Sequence, residues 1–98
     1  YFKISAMQAI WNDTVIAESD DTIIVEGNHY FPVNSIKDEY FEKTDLTSFC
    51  GWKGMANYYS VIVNGKTNKD CAWYYETPND AAMKIKEMVA FWNGVEIK

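Results

Sequence analysis

Residues 55–63 read MANYYSVIV, and the dipeptide Asn64-Gly65 follows them directly. The stretch is rich in β-branched and aromatic side chains, which favour β-strands. Asn-Gly between two apolar runs is the strongest short-range signal for a two-residue hairpin turn. We therefore expect a strand over 55–63, a tight turn, and a return strand over 71–75.

A tight turn at Asn64-Gly65 also fixes which residues of the two strands lie opposite each other. Val63 would lie opposite Lys66. Counting back along both strands gives the pairs Tyr58–Cys71, Ala56–Trp73 and Gly54–Tyr75. Alternation along the return strand then puts Cys71, Trp73 and Tyr75 on one face of the sheet. A bulge within residues 67–70 would shift this register.

Short strands also fill the N-terminal third of the chain. Two runs, Met7–Trp11 and Thr14–Ser19, are separated by Asn12-Asp13, which predicts a hairpin. A β-branched run at 22–26 follows. The chain continues with a turn at Gly27-Asn28 and a strand-like run at 29–31 that ends at Pro32. Four such strands in succession predict an antiparallel meander.

The remaining segments complete a mainly β fold with one helix. Residues 33–42 predict a short helix or 3₁₀ turn, 43–45 a polar turn and 46–50 a strand. Asn79 or Asp80 can cap an α-helix over 81–88, whose stripe of Ala82, Ile85 and Met88 would pack on the sheet. A strand over 89–92, a turn at Asn93-Gly94 and an edge strand over 95–98 follow. The expected fold class is therefore a single domain over 1–98, with antiparallel sheets arranged as a sandwich and one α-helix in the C-terminal half.

Composition and charge exclude several common classes of protein. The formal net charge is −5 and every basic residue is Lys, so the bidentate Arg contacts to phosphate and base edges are absent and no nucleic-acid partner is expected. No apolar run is long enough to cross a membrane, and no leader pattern is present. Two cysteines are too few for a disulfide scaffold, so a soluble, cytoplasmic protein with reduced thiols is expected.

The sequence predicts neither a metal site nor a cofactor. His29 is the one histidine, and Cys50 and Cys71 are far apart in the chain, which does not match zinc-ligand spacing. The acidic pair Asp20-Asp21 falls in a turn, where Asp is common for backbone reasons. No glycine-rich phosphate loop is present.

The segment Cys50-Gly51-Trp52-Lys53-Gly54 is the part of the chain least like ordinary packing, because it puts a thiol, an indole and an amine within four residues. Lys53 would favour the thiolate of Cys50, or would bind an anionic ligand. The ordinary alternatives are a small buried cysteine beside a solvated lysine, or a lysine held over an aromatic ring. No base lies beside Cys50 in the sequence, which favours the ordinary alternative for the thiol.

Other candidate groups come from distant segments. Glu26, at a strand end before Gly27, is a candidate ligand-binding carboxylate or general base, with a turn-stabilising acceptor as the alternative. Four aromatic residues would line an apolar pocket with polar tips, or else fill the core: Tyr30, Tyr58, Trp73 and Tyr75. Trp11 and Trp92 are assigned to core or edge packing.

The order of several motifs resembles one known family. These motifs are Trp11-Asn12 with Ala17-Glu18-Ser19, Glu26-Gly27 with Tyr30-Phe31-Pro32, Cys50-Gly51-Trp52-Lys53-Gly54 with Ala56 and Tyr58, Ala72-Trp73-Tyr74-Tyr75 with Pro78, and Ala90-Phe91-Trp92. The chain resembles the small bacterial family catalogued as domain of unknown function 427, sometimes labelled nucleotidyltransferase-like. The resemblance implies a compact, mostly antiparallel β fold of the tent type with one helix near the C-terminus, and no settled activity. Gly51 stands where the family usually has Pro, and Asp13 where it usually has Gly.

The leading functional hypothesis is a binding module for a small anionic or aromatic ligand. Its expected site residues are Glu26, Tyr30, Cys50, Trp52, Lys53, Tyr58, Trp73 and Tyr75. The first alternative is an enzyme that uses Cys50 as a nucleophile or redox thiol, with Lys53 lowering its pKa and Glu26 or His29 moving protons. The second is a self-associating protein, a homodimer formed through a short edge strand such as 95–97.

Overall fold

The computed structural model describes residues 6–98 as nine β-strands and three short 3₁₀ helices. The strands are β1 Met7–Trp11, β2 Thr14–Ser19, β3 Ile23–Val25, β4 Asn28–Tyr30, β5 Phe41–Cys50, β6 Gly54–Val63, β7 Lys66–Tyr74, β8 Val89–Phe91 and β9 Glu96–Ile97. The 3₁₀ helices are Val33–Ser35, Asp38–Tyr40 and Asp80–Ile85. The mainly β, antiparallel fold class expected from the sequence is confirmed.

The strands form three antiparallel sheets, with strand orders β2-β1-β9, β3-β4 and β5-β6-β7-β8. The predicted hairpin turns are present: Asn12 and Asp13 both have positive φ, as do Asn64 and Gly65, which is the geometry that such tight turns need. The single four-strand meander predicted for the N-terminal third is wrong, because β2 and β3 belong to different sheets. Phe31 instead exchanges two backbone hydrogen bonds with Val89, which ties the β3–β4 hairpin to β8.

The four-stranded sheet is covered on both faces. On one face, β1 and β2 pack against it around Phe31, Val61 and Phe91, which are buried in one apolar cluster. On the other face, a second cluster unites Tyr30 and Tyr75 with residues of the third 3₁₀ helix. Alternation along residues 72–75 and 89–91 sends neighbouring side chains to opposite clusters, as expected for strands buried on both sides.

A bulge between β6 and β7 changes the predicted register. Val63 lies opposite Lys66 as predicted, but Tyr58 lies opposite Trp73 rather than Cys71. Asp70 has a φ of 55°, and its N–H donates to Ser60 Oγ at 3.0 Å, so the chain gains residues on the β7 side. Cys71 consequently lies in the first cluster, apart from Trp73 and Tyr75, and the prediction of a shared face for these three is wrong.

The predicted α-helix is a 3₁₀ helix over Asp80–Ile85 that is kinked at Ala82. Its predicted apolar stripe is confirmed, since Ala82, Ile85 and Met88 are all buried. The helix stops early because the Glu87 N–H donates to the Tyr75 carbonyl oxygen at 2.9 Å. This tertiary bond outweighs helix propensity and turns the chain towards β8.

The first 3₁₀ helix confirms the short turn expected after Pro32, and β9 confirms the last edge strand by pairing with β1. Residues 43–45, predicted as a polar turn, lie inside the ten-residue strand β5 instead. The register of β5 against β6 shifts between Lys43 and Thr47, so the polar residues sit in an irregular part of the strand. No helix within residues 6–98 combines the length and the apolar character that crossing a membrane requires.

Candidate functional site

Glu26 and Lys53 form an ion pair between two turns that are distant in the chain. Glu26 lies at the tip of the β3–β4 hairpin, where it and Gly27 both have positive φ. Lys53 belongs to the turn between β5 and β6, and its Nζ donates to Glu26 Oε1. Trp52 from the same turn donates its indole N–H to Glu26 Oε2 at 3.4 Å. The predicted grouping of an acid, an indole and an amine is therefore present.

The ammonium group of Lys53 is held between aromatic rings. Its Nζ lies 5.5 Å from the ring centroids of both Trp52 and Tyr75, within the range for cation–π attraction. Only 7% of Lys53 is exposed. Asn79 fixes the turn, since its backbone N–H donates to the Lys53 carbonyl oxygen at 2.9 Å and its side chain to the Gly51 carbonyl oxygen at 3.3 Å.

The ion pair keeps both groups charged. The hydrogen bonds from Lys53 and then from Trp52 lower the pKa of Glu26 from its ordinary value of 4.5. Burial, the largest single effect, would lower the pKa of Lys53, but the hydrogen bond to Glu26 and the charge interactions with Tyr30, Tyr75 and Glu26 together outweigh it, and the pKa is raised above 10.5. Lys53 is thus an ammonium at neutral pH, which suits it to donate hydrogen bonds rather than to act as a nucleophilic amine.

Three aromatic residues extend the site from the ion pair along β6 and β7. Trp73 donates its indole N–H to the hydroxyl oxygen of the fully buried Tyr30 at 3.1 Å, and the two rings meet edge to face. Tyr58 lies directly opposite Trp73 on β6, and its hydroxyl is 2.8 Å from Ser48 Oγ. The bulge in β7 brings Tyr58 and Trp73 side by side.

These residues surround a cavity of about 240 Å³. Its lining consists of Lys53, Tyr58, Trp73, Tyr75 and Trp92. Four of these five were predicted from the sequence, but Trp92 had been assigned to core or edge packing. Trp92 is 54% exposed, and its indole N–H donates to the Asp70 carbonyl oxygen at 2.8 Å. Alternation along 89–92 puts Trp92 on the face of Ala90, and the pairing of Ala90 with Trp73 is the signal that could have identified it.

The other predicted site residues lie around the cavity without lining it. Glu26 and Trp52 contact Lys53, and Tyr30 contacts Trp73. Cys50 is a half-buried free thiol near enough to Tyr75 that its charge would raise the pKa of that phenol, an effect smaller than that of burial. Lys53 hydrogen-bonds Glu26, and within residues 6–98 it has no hydrogen bond to Cys50.

The remaining titratable candidates lie elsewhere. His29 is bound through Nδ1 to the hydroxyl of Thr22 at 3.0 Å. In the turn at Asp20-Asp21, the Asp21 N–H donates to Ser19 Oγ at 2.9 Å, which is turn chemistry. In the part of the chain that the structure describes, no three His, Cys, Asp or Glu side chains converge so as to hold a metal ion.

A larger cavity of about 580 Å³ lies over the irregular part of β5. It is lined by Glu42, Lys43, Thr44, Asp45, Leu46, Lys69 and Asp70. Thr44 donates to Asp70 Oδ1 at 2.7 Å across it. Its lining is polar with charges of both signs, and none of the eight predicted site residues takes part.

Comparison with known proteins identifies a family to which the chain is similar. A family model described as "Domain of unknown function (DUF427)" matches residues 4–97. No curated protein matches the chain. The family match covers both turns of the ion pair and all five residues that line the smaller cavity.

Proposed function

The chain belongs to the family described as domain of unknown function DUF427, and because that description assigns no activity, we propose a function from the site itself: a binding module for a small aromatic ligand that carries a hydrogen-bond acceptor. The acceptor is a carboxylate or a carbonyl oxygen. The observation that carries the proposal is the cavity of about 240 Å³ in which four aromatic residues face one ammonium group.

The lining supports a flat, largely apolar ligand. Tyr58, Trp73, Tyr75 and Trp92 supply ring faces and edges, and aromatic pairs are stabilised by stacking or edge-to-face contact beyond their simple burial. Small-molecule sites combine such walls with a few convergent polar groups. A volume of about 240 Å³ is at the small end for ligand pockets, so a ligand with a single ring fits it best.

The N–H donors of Lys53 favour a ligand whose ring carries a hydrogen-bond acceptor. An ammonium group carries three N–H donors. Among residues 6–98, the carboxylate of Glu26 accepts a hydrogen bond from Nζ, and the hydroxyl of Tyr75 also interacts with it, which leaves an N–H for a ligand. The carboxylate already compensates the charge of Lys53, so a neutral carbonyl can serve as well as an anion. Glu26 orients the ammonium, and Trp52 and Tyr75 flank it.

Three probes of equal shape test the ligand class: benzoate, benzamide and benzylammonium, titrated by isothermal calorimetry. Benzoate and benzamide should bind, because each offers an oxygen acceptor to Lys53. Benzylammonium should not bind, because its cation would lie against another cation. Absence of binding by both acceptor probes, or tighter binding by benzylammonium, would contradict the proposal.

A matched pair of variants tests the location. Trp92→Ala removes one wall of the cavity from an exposed position and should weaken benzoate and benzamide binding about fivefold, the value of an aromatic contact of about 1 kcal/mol. Met83→Ala removes an exposed apolar side chain outside the cavity and should leave affinity unchanged. Equal affinities for both variants would place the ligand elsewhere.

A further inference from the structure

Strand β5 has one unpaired edge. It is the terminal strand of the four-stranded sheet and, at ten residues, one of its longest. Its inner edge pairs with β6, and within residues 6–98 no other strand pairs with its outer edge. An unpaired edge presents a row of backbone donors and acceptors to which another strand can add.

The two halves of this edge differ in their protection. Glu42, Lys43 and Asp45 put charges on the first half, and the register irregularity between Lys43 and Thr47 bends it. Charges and bulges are the devices that keep edge strands from pairing. Residues 46–50 read LTSFC and carry no charge, and residues 47–50 follow a regular register against β6. The second half of the strand is therefore open to pairing.

An exposed apolar strip lies beside the open half. Phe49 is 72% exposed, the most of any large apolar side chain that the structure describes. It lies directly opposite Met55 of β6, which is also exposed, and Trp52 in the adjoining turn is partly exposed. Large apolar side chains gathered at an unpaired edge are typical of an interaction surface.

We propose that residues 46–50 pair antiparallel with the same segment of a second copy of this chain, about a twofold axis that passes through Ser48. A twofold that joins two antiparallel edges must be perpendicular to the sheet, so that a residue on the axis pairs with itself. Ser48 then lies opposite the partner's Ser48, Thr47 opposite the partner's Phe49, and Leu46 opposite the partner's Cys50.

This register makes the edge self-complementary. Phe49 lies diagonal to the partner's Phe49 on one face, at about 7–8 Å, a separation that aromatic side chains span. Met55 flanks each ring. A register centred on Thr47 would set Asp45 opposite Phe49, and one centred on Leu46 would set Lys43 opposite Phe49. The axis at Ser48 leaves every pair uncharged.

The match of this uncharged segment to itself, rather than net charge, favours a second copy over a basic peptide. A chain of net charge −5 attracts basic peptides in general. Residues 46–50 offer such a peptide no carboxylate, whereas they match their own uncharged sequence. Five paired residues and a few side chains make a small interface, so the dimer should exchange with monomer as concentration changes.

Sedimentation equilibrium over a wide concentration range tests the association. The protein should pass from monomer to dimer as concentration rises, and Phe49→Glu should remain monomeric because it sets two carboxylates diagonal to each other on one face of the paired edges. Ile24→Glu is the matched control, since Ile24 is 59% exposed on β3, which pairs with β4 in a different sheet, and it should dimerise like the parent chain. A parent chain that stays monomeric throughout, or a dimer that survives Phe49→Glu, would overturn the proposal.

Disulfide trapping tests the register. In a Cys50→Ser background, Ser48→Cys puts two thiols directly opposite each other at about 5 Å between Cα atoms, which a disulfide can bridge, whereas Thr47→Cys puts a thiol opposite the partner's Phe49. With oxidised glutathione, Ser48→Cys should give a covalent dimer at least tenfold faster than Thr47→Cys. Equal rates, or faster trapping of Thr47→Cys, would overturn the twofold at Ser48.

Discussion

At the scale of single residues, the site depends on one lysine whose charge is fixed by its neighbours. Lys53 is almost fully buried, yet its pKa is raised because the hydrogen bond to Glu26 and the charge interactions with Glu26 and two tyrosines together outweigh the effect of burial. The side chain of Glu26 is half exposed, whereas that of Lys53 is buried, so Lys53 is the more firmly positioned member of the pair. The pair therefore acts as an oriented donor beside the aromatic cavity.

The ion pair predicts how stability depends on pH. The pKa of Glu26 is lowered in the folded state, so its contribution is present above the ordinary value of 4.5 and is lost as pH falls through the folded pKa. The pKa of Lys53 is raised, so its contribution is present below 10.5 and is lost as pH rises through the folded pKa.

Glu26→Gln tests that linkage at acid pH. The variant should melt at a lower temperature than the parent chain near neutral pH, and the difference should shrink as the pH is lowered below about 4.5. Thermal unfolding followed by circular dichroism measures it. Glu39→Gln, at an exposed acid with no ion pair among residues 6–98, is the control. A difference in melting temperature that stays constant down to strongly acid pH would contradict the assignment.

The positions of Trp92 and Cys71 differ from those predicted from the sequence, and both are connected to the bulge in β7. Cys71 leaves the face of Trp73 because the β6–β7 register shifts at the bulge, and the Asp70 carbonyl oxygen within the bulge accepts the indole N–H of Trp92. Turn chemistry is local and was visible at Asn64-Gly65, whereas the bulge depends on a hydrogen bond between Asp70 and Ser60, ten residues apart. Sequence alone marked residues 67–70 as a place where a bulge could occur, without fixing it.

At the scale of elements, the bulge in β7 assembles the cavity. It brings Tyr58 opposite Trp73, and the Asp70 carbonyl oxygen within it accepts the indole N–H of Trp92. The bulge is itself fixed by the buried hydroxyl of Ser60, which accepts the Asp70 N–H. A hydroxyl on β6 thus determines the position of two cavity walls.

Ser60→Ala tests the bulge. It leaves the Asp70 N–H without its acceptor in a part-buried position and should destabilise the fold by about 1–2 kcal/mol, measured by urea unfolding. Ser19→Ala removes the same kind of bond, from the Asp21 N–H, at an exposed turn where water replaces it, and should change stability by less than about 0.5 kcal/mol. Equal effects of the two changes would show that the Ser60 hydroxyl does not hold the bulge.

Local patterns predicted most of the elements, and long-range contacts decided the rest. Apolar runs and Asn or Asp at tight turns were sufficient for the hairpins β1–β2 and β6–β7. They were insufficient for the last helical segment, where the bond from Glu87 to Tyr75 draws the chain out of a helix. The assignment of β2 and β3 to separate sheets likewise depends on the bonds between Phe31 and Val89.

At the scale of the whole molecule, two apolar clusters pack on opposite faces of the four-stranded sheet, and only the second adjoins the cavity. The first cluster holds Cys71 and Phe91 among fully packed side chains. The second holds Tyr30 and Tyr75, whose polar ends reach towards Lys53. The two free thiols therefore lie in different environments.

The reactivity of the two thiols tests their difference in burial directly. Cys71 is fully buried, and burial raises its pKa to about 11, so in the folded protein it should react with iodoacetamide only through unfolding. Cys50 is half-buried and should react first. Mass spectrometry should show one rapid label at Cys50, with a second at Cys71 whose rate rises with denaturant. Comparable native rates for both thiols would contradict the packing of the first cluster.

We propose that one ligand cavity is formed by Lys53, Tyr58, Trp73, Tyr75 and Trp92. Nuclear magnetic resonance of the indole N–H groups is the most direct test of ligand binding there. On titration with benzoate or benzamide, the signals of Trp73 and Trp92 should shift together and saturate at one dissociation constant. The signal of Trp11, which packs against the other cluster, should stay in place. Unchanged Trp73 and Trp92 signals with both probes, or a shift of Trp11 as large as theirs, would contradict the claim.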